Sequence, residues 1–380
     1  MPYYLKENKI ELLKNGKDYF ASVIQSIKQA RQSIFVEAYI FSHDVTGIKI
    51  LTALKEAARR NIDVYLLLDG FGSRDLSQKI IDEIKSSKIH FLFYHPKISP
   101  YQMKRISLRR LHRKMFLIDH KIAYVGGINI IDDSNVPNGK APRIDYAAQL
   151  KGPVVCFISQ SMVKLWKRVS WSHLEKSYIP KHIKKNIALY PNGTKLSFIE
   201  RDNFRHRQDI EKAYLHAIQN AKHEILIANA YFIPGKKFER ALIDATRRGV
   251  SVTLLLKGEM DYFLSNATRA FYGKFLKAGI TVFEYTRSFM HSKVAVIDGT
   301  WSTVGSSNID PFSLLLAREA NIMVLDKSFA SQLKKNIEED IQFGGTEILL
   351  KDWDKAHLIK RLKSRMAYLF IRLSLGIANI

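Results

Sequence analysis

Two short segments of the chain place the same reactive residue types at the same spacing. Residues 112–119 and residues 291–298 both follow the pattern His-x-Lys-x4-Asp, and an asparagine follows each histidine at an equal distance. Neutral imidazole can attack phosphorus or transfer a proton near neutral pH, and lysine ammonium and asparagine amide groups bind phosphate oxygens. The repeated pattern therefore predicts chemistry on a phosphate ester. Its residues are the catalytic candidates His112, Lys114, Asp119, His291, Lys293 and Asp298 and the phosphate-binding candidates Asn129 and Asn308.

Both copies are expected to serve one reaction centre. A phosphodiester is a poor electrophile because its anionic oxygens repel a nucleophile, so positive charge and fixed donors must surround it. One imidazole attacks phosphorus, and a second, protonated imidazole gives a proton to the leaving alkoxide. This division of labour requires His112 and His291 together.

A nucleophilic histidine also needs an acceptor on its other ring nitrogen, which selects the tautomer and stabilises the developing charge. Asp145 follows His112 along the chain, and Glu319 follows His291. We assign the orienting role to these two carboxylates.

Each segment is predicted to form a β-hairpin whose strands carry the site. With a two-residue loop after each motif aspartate, His112 faces Asn129 and His291 faces Asn308. Directly opposed residues lie about 5 Å apart on one face of a sheet, and alternate residues of a strand share that face. We therefore expect each hairpin to gather His, Lys and Asn side chains. The lysines would face small residues that leave room for a substrate group, Lys114 opposite Gly127 and Lys293 opposite Ser306.

The motif aspartates and two polar strand residues allow a structural interpretation beside a catalytic one. Asp119 and Asp298 lie at the predicted turns and have the opposite parity from the histidines, which favours a structural role over direct chemistry. Glu37 and Asn229 occupy equivalent strand positions in the two halves. Their side chains either reach the site or only satisfy hydrogen bonds within the sheet.

The two segments close two copies of a larger unit. Residues 18–73 and 209–258 both follow the order helix, strand, helix, strand, with short apolar strands. This alternation predicts an α/β fold with buried, partly parallel strands. Charged and turn residues interrupt the pattern near 175–195, so we place the boundary at about residue 185. The predicted parts are a first half at 1–185, a second half at 186–350 and a C-terminal amphipathic helix at 351–380.

Composition indicates a globular protein with an anionic partner. The 380 residues carry 60 Lys and Arg against 36 Asp and Glu, a formal net charge of +24, and 46% are hydrophobic. Nucleic acid and an anionic membrane both present dense phosphates, and charge does not choose between them. The single cysteine, Cys156, excludes an intramolecular disulfide and is expected to be a small buried residue. Neither a signal-peptide pattern nor an apolar run of about 18 residues is found, so membrane contact is expected to be peripheral.

Two basic stretches are candidates for contact with anionic lipid. Residues 104–114 contain six Lys or Arg and no acid, and their place beside the predicted site favours recruitment of head groups over a merely solvated face. The C-terminal segment combines cations with an apolar stripe and has no acidic residue after Asp354. This pattern predicts an interfacial helix, with packing of the stripe on the catalytic body as the alternative. The stripe consists of Leu358, Ile359, Leu362, Met366, Leu369, Phe370, Leu373 and Ile377.

The two motif copies and their surroundings resemble the phospholipase D superfamily. Within it, about residues 8–345 are similar to bacterial cardiolipin synthases of the short type, which lack N-terminal transmembrane helices. The chain departs from the family at 315–318, where an Asn-containing stretch is expected before Glu319. This departure bears on acceptor specificity and leaves the core chemistry unchanged. The similarity is carried by residues 13–16, 68–73, 112–114, 151–153, 201–203, 228–232, 283–285, 304–311 and 319–321.

The resemblance implies two pseudo-symmetric α/β/α sandwich halves around one active site. It implies that one phosphatidylglycerol gives its phosphatidyl group to the glycerol hydroxyl of another lipid through a phosphohistidine. His112 would be the nucleophile and His291 the general acid and then base, with no metal or other cofactor. The expected partners are phosphatidylglycerol, other anionic phospholipids and a membrane surface rather than nucleic acid, at the cytoplasmic face of a bacterial inner membrane.

The identity of the acceptor is not readable from the motif. Water as the acceptor would make the protein a phospholipase D-type hydrolase or a nuclease, and serine would make it a phosphatidylserine synthase. A non-catalytic module that binds nucleic acid or membrane is an alternative of another class. The two complete His/Lys/Asn sets argue against such a module.

Overall fold

Two α/β halves with matching strand order build the protein. In the computed structural model the strands of the described residues join into one mixed sheet of 15 strands, beside a separate two-stranded sheet. The predicted α/β class with two repeated halves is confirmed. The structure describes residues 2–95, 109–137, 140–173, 188–202, 205–258, 262–355, 364 and 366–370.

Three predicted features lie wholly or partly outside the described residues. They are the boundary at residue 185, the beginning of the basic run at 104–108, and most of the C-terminal stripe. The division into three parts therefore stays a prediction. Within the described ranges, no helix has the length and apolar character needed to cross a membrane.

The first half alternates strands and helices in the predicted order. Its strands are β1 (Leu5–Lys14), β2 (Ser33–Ala38), β3 (Asp63–Asp69), β4 (His90–Tyr94), β5 (Met115–Ile118), β6 (Ile122–Gly126), β7 (Arg143–Ile144) and β8 (Tyr146–Lys151). Its helices are α1 (Asn15–Gln29), α2 (Val45–Arg59), α3 (Gln78–Ser86) and α4 (Val154–Ser172).

The second half repeats this order with additional short elements. Its strands are β9 (Thr194–Arg201), β10 (Glu224–Asn229), β11 (Ser251–Lys257), β12 (Thr281–Tyr285), β13 (Phe289–Met290), β14 (Lys293–Ile297), β15 (Trp301–Gly305), β16 (Glu319–Leu325) and β17 (Gly345–Glu347). Its helices are α5 (Asp209–Asn220), α6 (Lys236–Arg247), α7 (Tyr262–Arg269), α8 (Tyr272–Lys277), α9 (Pro311–Leu315), α10 (Lys327–Gly344) and α11 (Leu350–Lys355).

The sheet order makes the repeat visible in space. The first half runs β1-β8-β6-β5-β2-β3-β4, and the second runs β9-β16-β15-β14-β10-β11-β12 with β17 at its edge. The equivalent strands β1 and β9 pair antiparallel, with Leu5 opposite Leu196, and so join the halves. In each half the motif hairpin, β5–β6 or β14–β15, lies between this junction and the parallel strands.

Local sequence explains most of these elements. Every residue of β2 is buried, and β3 is buried after its first residue, as expected for strands covered on both faces. Side-chain caps begin three of the described helices, because Asp44, Ser77 and Asp326 accept hydrogen bonds from backbone N–H groups of the first turn. Apolar faces of α4 and α10 pack in a core cluster that contains residues of both halves. Cys156 is only half-buried on α4, so the prediction of a buried residue is wrong: it lies at the edge of that packed face.

Each motif hairpin has a loop one residue longer than predicted. Ile118 pairs with Ile122 and Ile297 pairs with Trp301, so the loops span 119–121 and 298–300. The first two residues of each loop have positive φ, 51° and 54° in the first loop and 51° and 59° in the second. These left-handed residues turn the chain through a three-residue loop, which shifts the register by one position.

The predicted strand pairings of the site residues are consequently wrong. Strand β5 begins at Met115 and β14 at Lys293, so both histidines precede their strands. The shifted register also removes the small residues that were expected opposite the lysines. The pairs that the structure does not form are His112–Asn129, His291–Asn308, Lys114–Gly127 and Lys293–Ser306.

Candidate active site

The backbone before each histidine pairs with the other half of the molecule. The amide of His112 donates to the carbonyl of Arg318 at 3.0 Å, and the amide of His291 donates to the carbonyl of Ile144 at 2.8 Å. The parallel pairing of β13 with β7 extends the second contact, with Phe289 opposite Arg143. Each histidine segment therefore lies beside the segment that carries the other half's carboxylate.

The orienting carboxylates cross between the halves. His112 Nδ1 lies 2.8 Å from Glu319 Oε1, and His291 Nδ1 lies 2.7 Å from Asp145 Oδ2. The structure thus brings all four predicted residues into histidine–carboxylate pairs, with each histidine matched to the carboxylate of the opposite half. Because Nδ1 is engaged in both pairs, Nε2 is the ring nitrogen that can act on a phosphate.

Each carboxylate is itself held by its surroundings. Glu319 Oε2 accepts a 2.5 Å hydrogen bond from Ser306 Oγ, and Asp145 Oδ1 accepts one of 2.8 Å from the backbone amide of Tyr146. Glycine is required at 127, because a Cβ there would lie 2.3 Å from Asp145 Oδ1. Gly127 and Ser306, interpreted from sequence as space for substrate, instead accommodate the orienting carboxylates.

The two motif lysines are almost fully buried, with 2% of Lys114 and none of Lys293 exposed. Lys114 Nζ donates to the His112 carbonyl at 2.7 Å, and Lys293 Nζ donates to the His291 carbonyl. Burial disfavours the ammonium form, lowering the pKa of Lys114 to about 7 and the pKa of Lys293 to about 8. Both lysines can therefore bind an anion near neutral pH and lose that capacity as pH rises.

Burial also shifts the pKa values of the histidine–carboxylate pairs. It lowers the pKa of His112, an effect that the Glu319 carboxylate opposes. Burial, followed by the charge of Lys293, lowers the pKa of His291 well below its usual value. Burial raises the pKa of Asp145 to about 6 against the opposing charge of Lys293. The imidazoles are consequently neutral, and ready to act as nucleophile or base, around neutral pH.

The asparagines lie in the same region but differ in their contacts. Asn129 Oδ1 accepts from the backbone amide of Ile40 at 3.2 Å. Asn308 Nδ2 donates to Ser313 Oγ at 3.3 Å, and its Oδ1 is buried without a hydrogen-bond partner in the part of the chain that the structure describes. Their predicted phosphate-binding role stays a prediction.

Glu37 and Asn229 are not structurally equivalent. Glu37 pairs with Met115 in the sheet, whereas Asn229 pairs with Lys293. Lys293 corresponds to Lys114, the residue before Met115. Glu37 and Asn229 therefore occupy strand positions one residue apart, and their side chains point to opposite faces of the sheet. Glu37 Oε2 instead lies 3.5 Å from Nη1 of the buried Arg113. Of the two, only Asn229 lies next to a motif lysine.

The motif aspartates lie at the other end of the hairpins from the histidines. Asp119 accepts hydrogen bonds from the backbone amides of residues 31–33, and Asp298 accepts from those of residues 222–224. Each carboxylate ties its hairpin loop to the connection between a helix and the adjacent strand. The structure therefore does not bring Asp119 and Asp298 to the reacting groups.

Two tyrosines and one aspartate near the site were missed as functional candidates. The Tyr39 ring centroid lies 4.8 Å from that of His112, and Tyr231 lies 6.4 Å from His291. Asp69 Oδ2 accepts from the backbone amide of Leu111 at 2.8 Å and so fixes the segment before His112. The tyrosines follow equivalent strands in the repeat, which was an available signal, whereas the Asp69 contact is visible only in three dimensions.

Comparisons with known proteins identify the family of the chain. The family described as "Cardiolipin synthase, PLD-like domain" matches residues 23–150 and 214–341. Cardiolipin synthase B of Salmonella typhimurium (strain LT2) is 38% identical over 371 residues, covering 96% of this chain and 88% of that protein. The major cardiolipin synthase of Bacillus subtilis (strain 168) is 31% identical over 349 residues, covering 89% of this chain and 70% of that protein. The solved structure of phosphatidylserine synthase from Haemophilus influenzae Rd KW20 superposes on this chain with a TM-score of 0.71 at 13% identity. The match covers 98% of this chain and 95% of that protein.

The repeated fold and the crossed histidine–carboxylate pairs define a phospholipase D-like enzyme. The chain belongs to the cardiolipin synthase, phospholipase D-like family. The chain is therefore a phosphatidyltransferase, and the chemistry predicted from the two motif copies is consistent with this activity.

Proposed function

We propose that the protein is a cardiolipin synthase that transfers the phosphatidyl group of one phosphatidylglycerol to the glycerol hydroxyl of another, giving cardiolipin and glycerol. The observation that carries the proposal is the crossed pairing of His112 with Glu319 and of His291 with Asp145. This pairing orients one imidazole from each half, as a two-step transfer requires. Family membership supports the choice of substrate.

In the first step, His112 Nε2 attacks the phosphorus of the donor lipid. A phosphorus–nitrogen bond forms while the bond between phosphorus and the head-group oxygen breaks, and protonated His291 donates its proton to that oxygen. Free glycerol leaves. The donor's phosphate anion favours the protonated form of His291, whose pKa is low in the unliganded site. The resemblance to the superfamily supports the assignment of attack to the first motif.

In the second step, His291 acts as the base. It takes the proton of the acceptor hydroxyl, whose oxygen bonds to phosphorus as the phosphorus–nitrogen bond breaks. Cardiolipin leaves, His112 becomes neutral again, and His291 regains the proton that it gave up in the first step, so both imidazoles return to their starting forms. Lys114 and Lys293 stabilise the negative charge on the phosphoryl oxygens in both transition states, and we assign Asn129 and Asn308 to the same oxygens.

We also propose that the enzyme acts as a peripheral protein at the cytoplasmic face of an anionic bacterial membrane. The described residues of the C-terminal stripe support this, because Met366 and Leu369 are 61% and 53% exposed. The neighbouring Ala367 is buried, and the Tyr368 ring packs 5.0 Å from that of Phe271. One side of the described segment thus contacts the body, while Met366 and Leu369 face outward. The net charge of +24 favours anionic lipid.

The transfer reaction is tested with vesicles of labelled phosphatidylglycerol and separation of the lipid products. We expect glycerol and cardiolipin to appear in equal amounts, with a chelator leaving the rate unchanged. Phosphatidic acid as the sole product would instead indicate a hydrolase, and phosphatidylserine formed on addition of serine would indicate a phosphatidylserine synthase. Binding without any turnover would indicate a non-catalytic module.

A further inference from the structure

Among the described residues, the His291 side of the site contains two buried cations in addition to the motif lysines. Arg143 and Lys257 are each 6% exposed. The Arg143 guanidinium carbon lies 4.4 Å from the Phe289 ring centroid, and Lys257 Nζ lies 3.5 Å from the same centroid. The Phe289 ring is 6.4 Å from the His291 ring and nearly parallel to it. Both cations thus lie one ring away from the proposed acid–base histidine.

Backbone pairing and hydrogen bonds hold Arg143 in this position. Arg143 lies opposite Phe289 in the β7–β13 pair, and its Nη2 donates to the carbonyl of Asn135 at 2.8 Å. Its Nε is buried without a hydrogen-bond partner among the described residues. The charges of Asp145 and Asp133 act on Arg143, but Asp145 is hydrogen-bonded to His291, and neither carboxylate accepts a hydrogen bond from the Arg143 Nε. An anion bound here would supply the missing acceptor.

The same positions in the other half do not repeat this charge. Strand β3 ends at Asp69, whereas the equivalent strand β11 ends at Lys257. Leu111 bridges Arg318 in the same way that Met290 pairs with Ile144. Ala317, the residue before Arg318, therefore occupies the position that corresponds to Arg143. The catalytic unit that both halves share therefore does not require these cations. Arg143 and Lys257 are specific to the His291 side of the site.

We propose that Arg143 and Lys257 bind the phosphate of the acceptor phosphatidylglycerol, the phosphodiester that does not react. The inference rests on the proposed function, in which His291 deprotonates the acceptor hydroxyl. The departing glycerol is neutral, so its release does not call for buried cations on this side. The acceptor lipid, in contrast, carries an anionic phosphate one glycerol unit away from the attacking hydroxyl. Arginine and lysine are suited to that group, and this contact selects an anionic lipid acceptor over water or a neutral alcohol.

Competition between two acceptors tests the proposal. Phosphatidylglycerol vesicles supply the donor, and ethanol is added so that the phosphatidyl-enzyme partitions between cardiolipin and phosphatidylethanol. The ratio of these products depends on the second step and not on how quickly the intermediate forms. In Arg143→Gln/Lys257→Gln we expect the ratio of cardiolipin to phosphatidylethanol to fall by about tenfold or more, because hydrogen bonds to a charged group are lost. Each single substitution should lower the ratio by about threefold or more.

The control variant Lys236→Gln/Lys237→Gln removes the same charge from exposed positions on α6 and should keep the wild-type ratio. An unchanged ratio in the double variant, or an equal fall in both products, would overturn the acceptor-phosphate site. If the double variant does not fold, the two single variants decide by the same ratio. Failure of the proposed function is distinguishable, since wild-type enzyme would then form no cardiolipin at all.

Discussion

Burial is the dominant influence on the reacting groups at the scale of single residues. It shifts Lys114, Lys293 and Asp145 towards their neutral forms, and the opposite charges brought in by the fold limit these shifts. The lysines approach half-protonation close to neutral pH and can bind a phosphate, whereas burial favours the neutral form of both histidines in the unliganded site. Activity should therefore depend on pH over a narrow range.

Replacement of either motif histidine tests the two-imidazole mechanism. We expect His112→Ala and His291→Ala each to lower cardiolipin formation by about a thousandfold or more, because one loses the nucleophile and the other the acid and base. His216→Ala, at an exposed position on α5, is the matched control and should behave as wild type. Intact-protein mass spectrometry after brief exposure to lipid should find the phosphatidyl adduct on His112. An adduct on His291 would reverse the two roles.

The pH dependence of kcat/KM should be bell-shaped. Ionised Asp145 is needed to hold His291, so the rate should rise through a pH of about 6. The charged forms of Lys114 and Lys293 are needed to bind phosphate, so the rate should fall as pH rises through about 7 to 8. The measurement is kcat/KM for short-chain phosphatidylglycerol across this range. Asp145→Asn should lose the rising limb and keep the falling one, and a profile that is flat from about pH 5 to 10 is incompatible with these assignments.

At the scale of elements, each motif combines a proposed catalytic function with a structural one. The histidine end of each hairpin enters the site, while the aspartate at the loop holds three consecutive backbone amides of the preceding helix–strand connection. The spacing within His-x-Lys-x4-Asp is therefore the length of one short strand, which connects the histidine in the site to the aspartate at the loop. The two copies of the motif share the same length for a structural as well as a chemical reason.

Asp119→Ala should lower stability more than intrinsic activity. The substitution leaves three backbone amides without their carboxylate acceptor, and we expect a loss of about 1–3 kcal/mol in the free energy of unfolding. The rate per folded molecule should stay within about threefold of wild type. Denaturant unfolding and kcat at low temperature measure the two effects separately. Asp75→Ala is the control, since that side chain is 94% exposed. A stable variant with abolished turnover would show that Asp119 acts in catalysis.

At the scale of the whole molecule, the two halves depend on each other for a working site. One sheet runs through both, and each histidine takes its carboxylate and its backbone partner from the opposite half. The strongly basic chain then needs only to place this shared site at a lipid surface. The outward side of the C-terminal segment, represented by Met366 and Leu369, is the proposed contact.

Met366→Gln/Leu369→Gln should weaken binding to phosphatidylglycerol vesicles. The substitutions remove apolar surface that would otherwise enter the lipid interface, and flotation should show at least about a threefold loss, greater at high salt. Soluble short-chain substrate should still be turned over normally. The control is Val45→Gln/Ile48→Gln, which removes exposed apolar surface from α2 without a charge change. Equal flotation of wild type and the Met366/Leu369 variant would move the membrane contact elsewhere.

Sequence alone determined the chemistry and the architecture in outline. The paired His-x-Lys-x4-Asp segments and their asparagines identified a phosphoryl-transfer site, and the repeated order of helices and strands identified two α/β halves, because residue type and local periodicity are properties of neighbouring residues. The carboxylates Asp145 and Glu319 were also recognised by type and position. Each of these inferences uses information contained in a short stretch of chain.

Tertiary structure alone decided how these parts are paired. The hairpin register depended on left-handed conformations at Asp119 and His120 that the residue types do not demand, and the shift by one position changed every predicted cross-strand partner. The crossing of the histidine–carboxylate pairs, and the convergence of Arg143 with Lys257 beside Phe289, join residues far apart in the chain. Such contacts are set by the packing of one half against the other, and no local pattern records them.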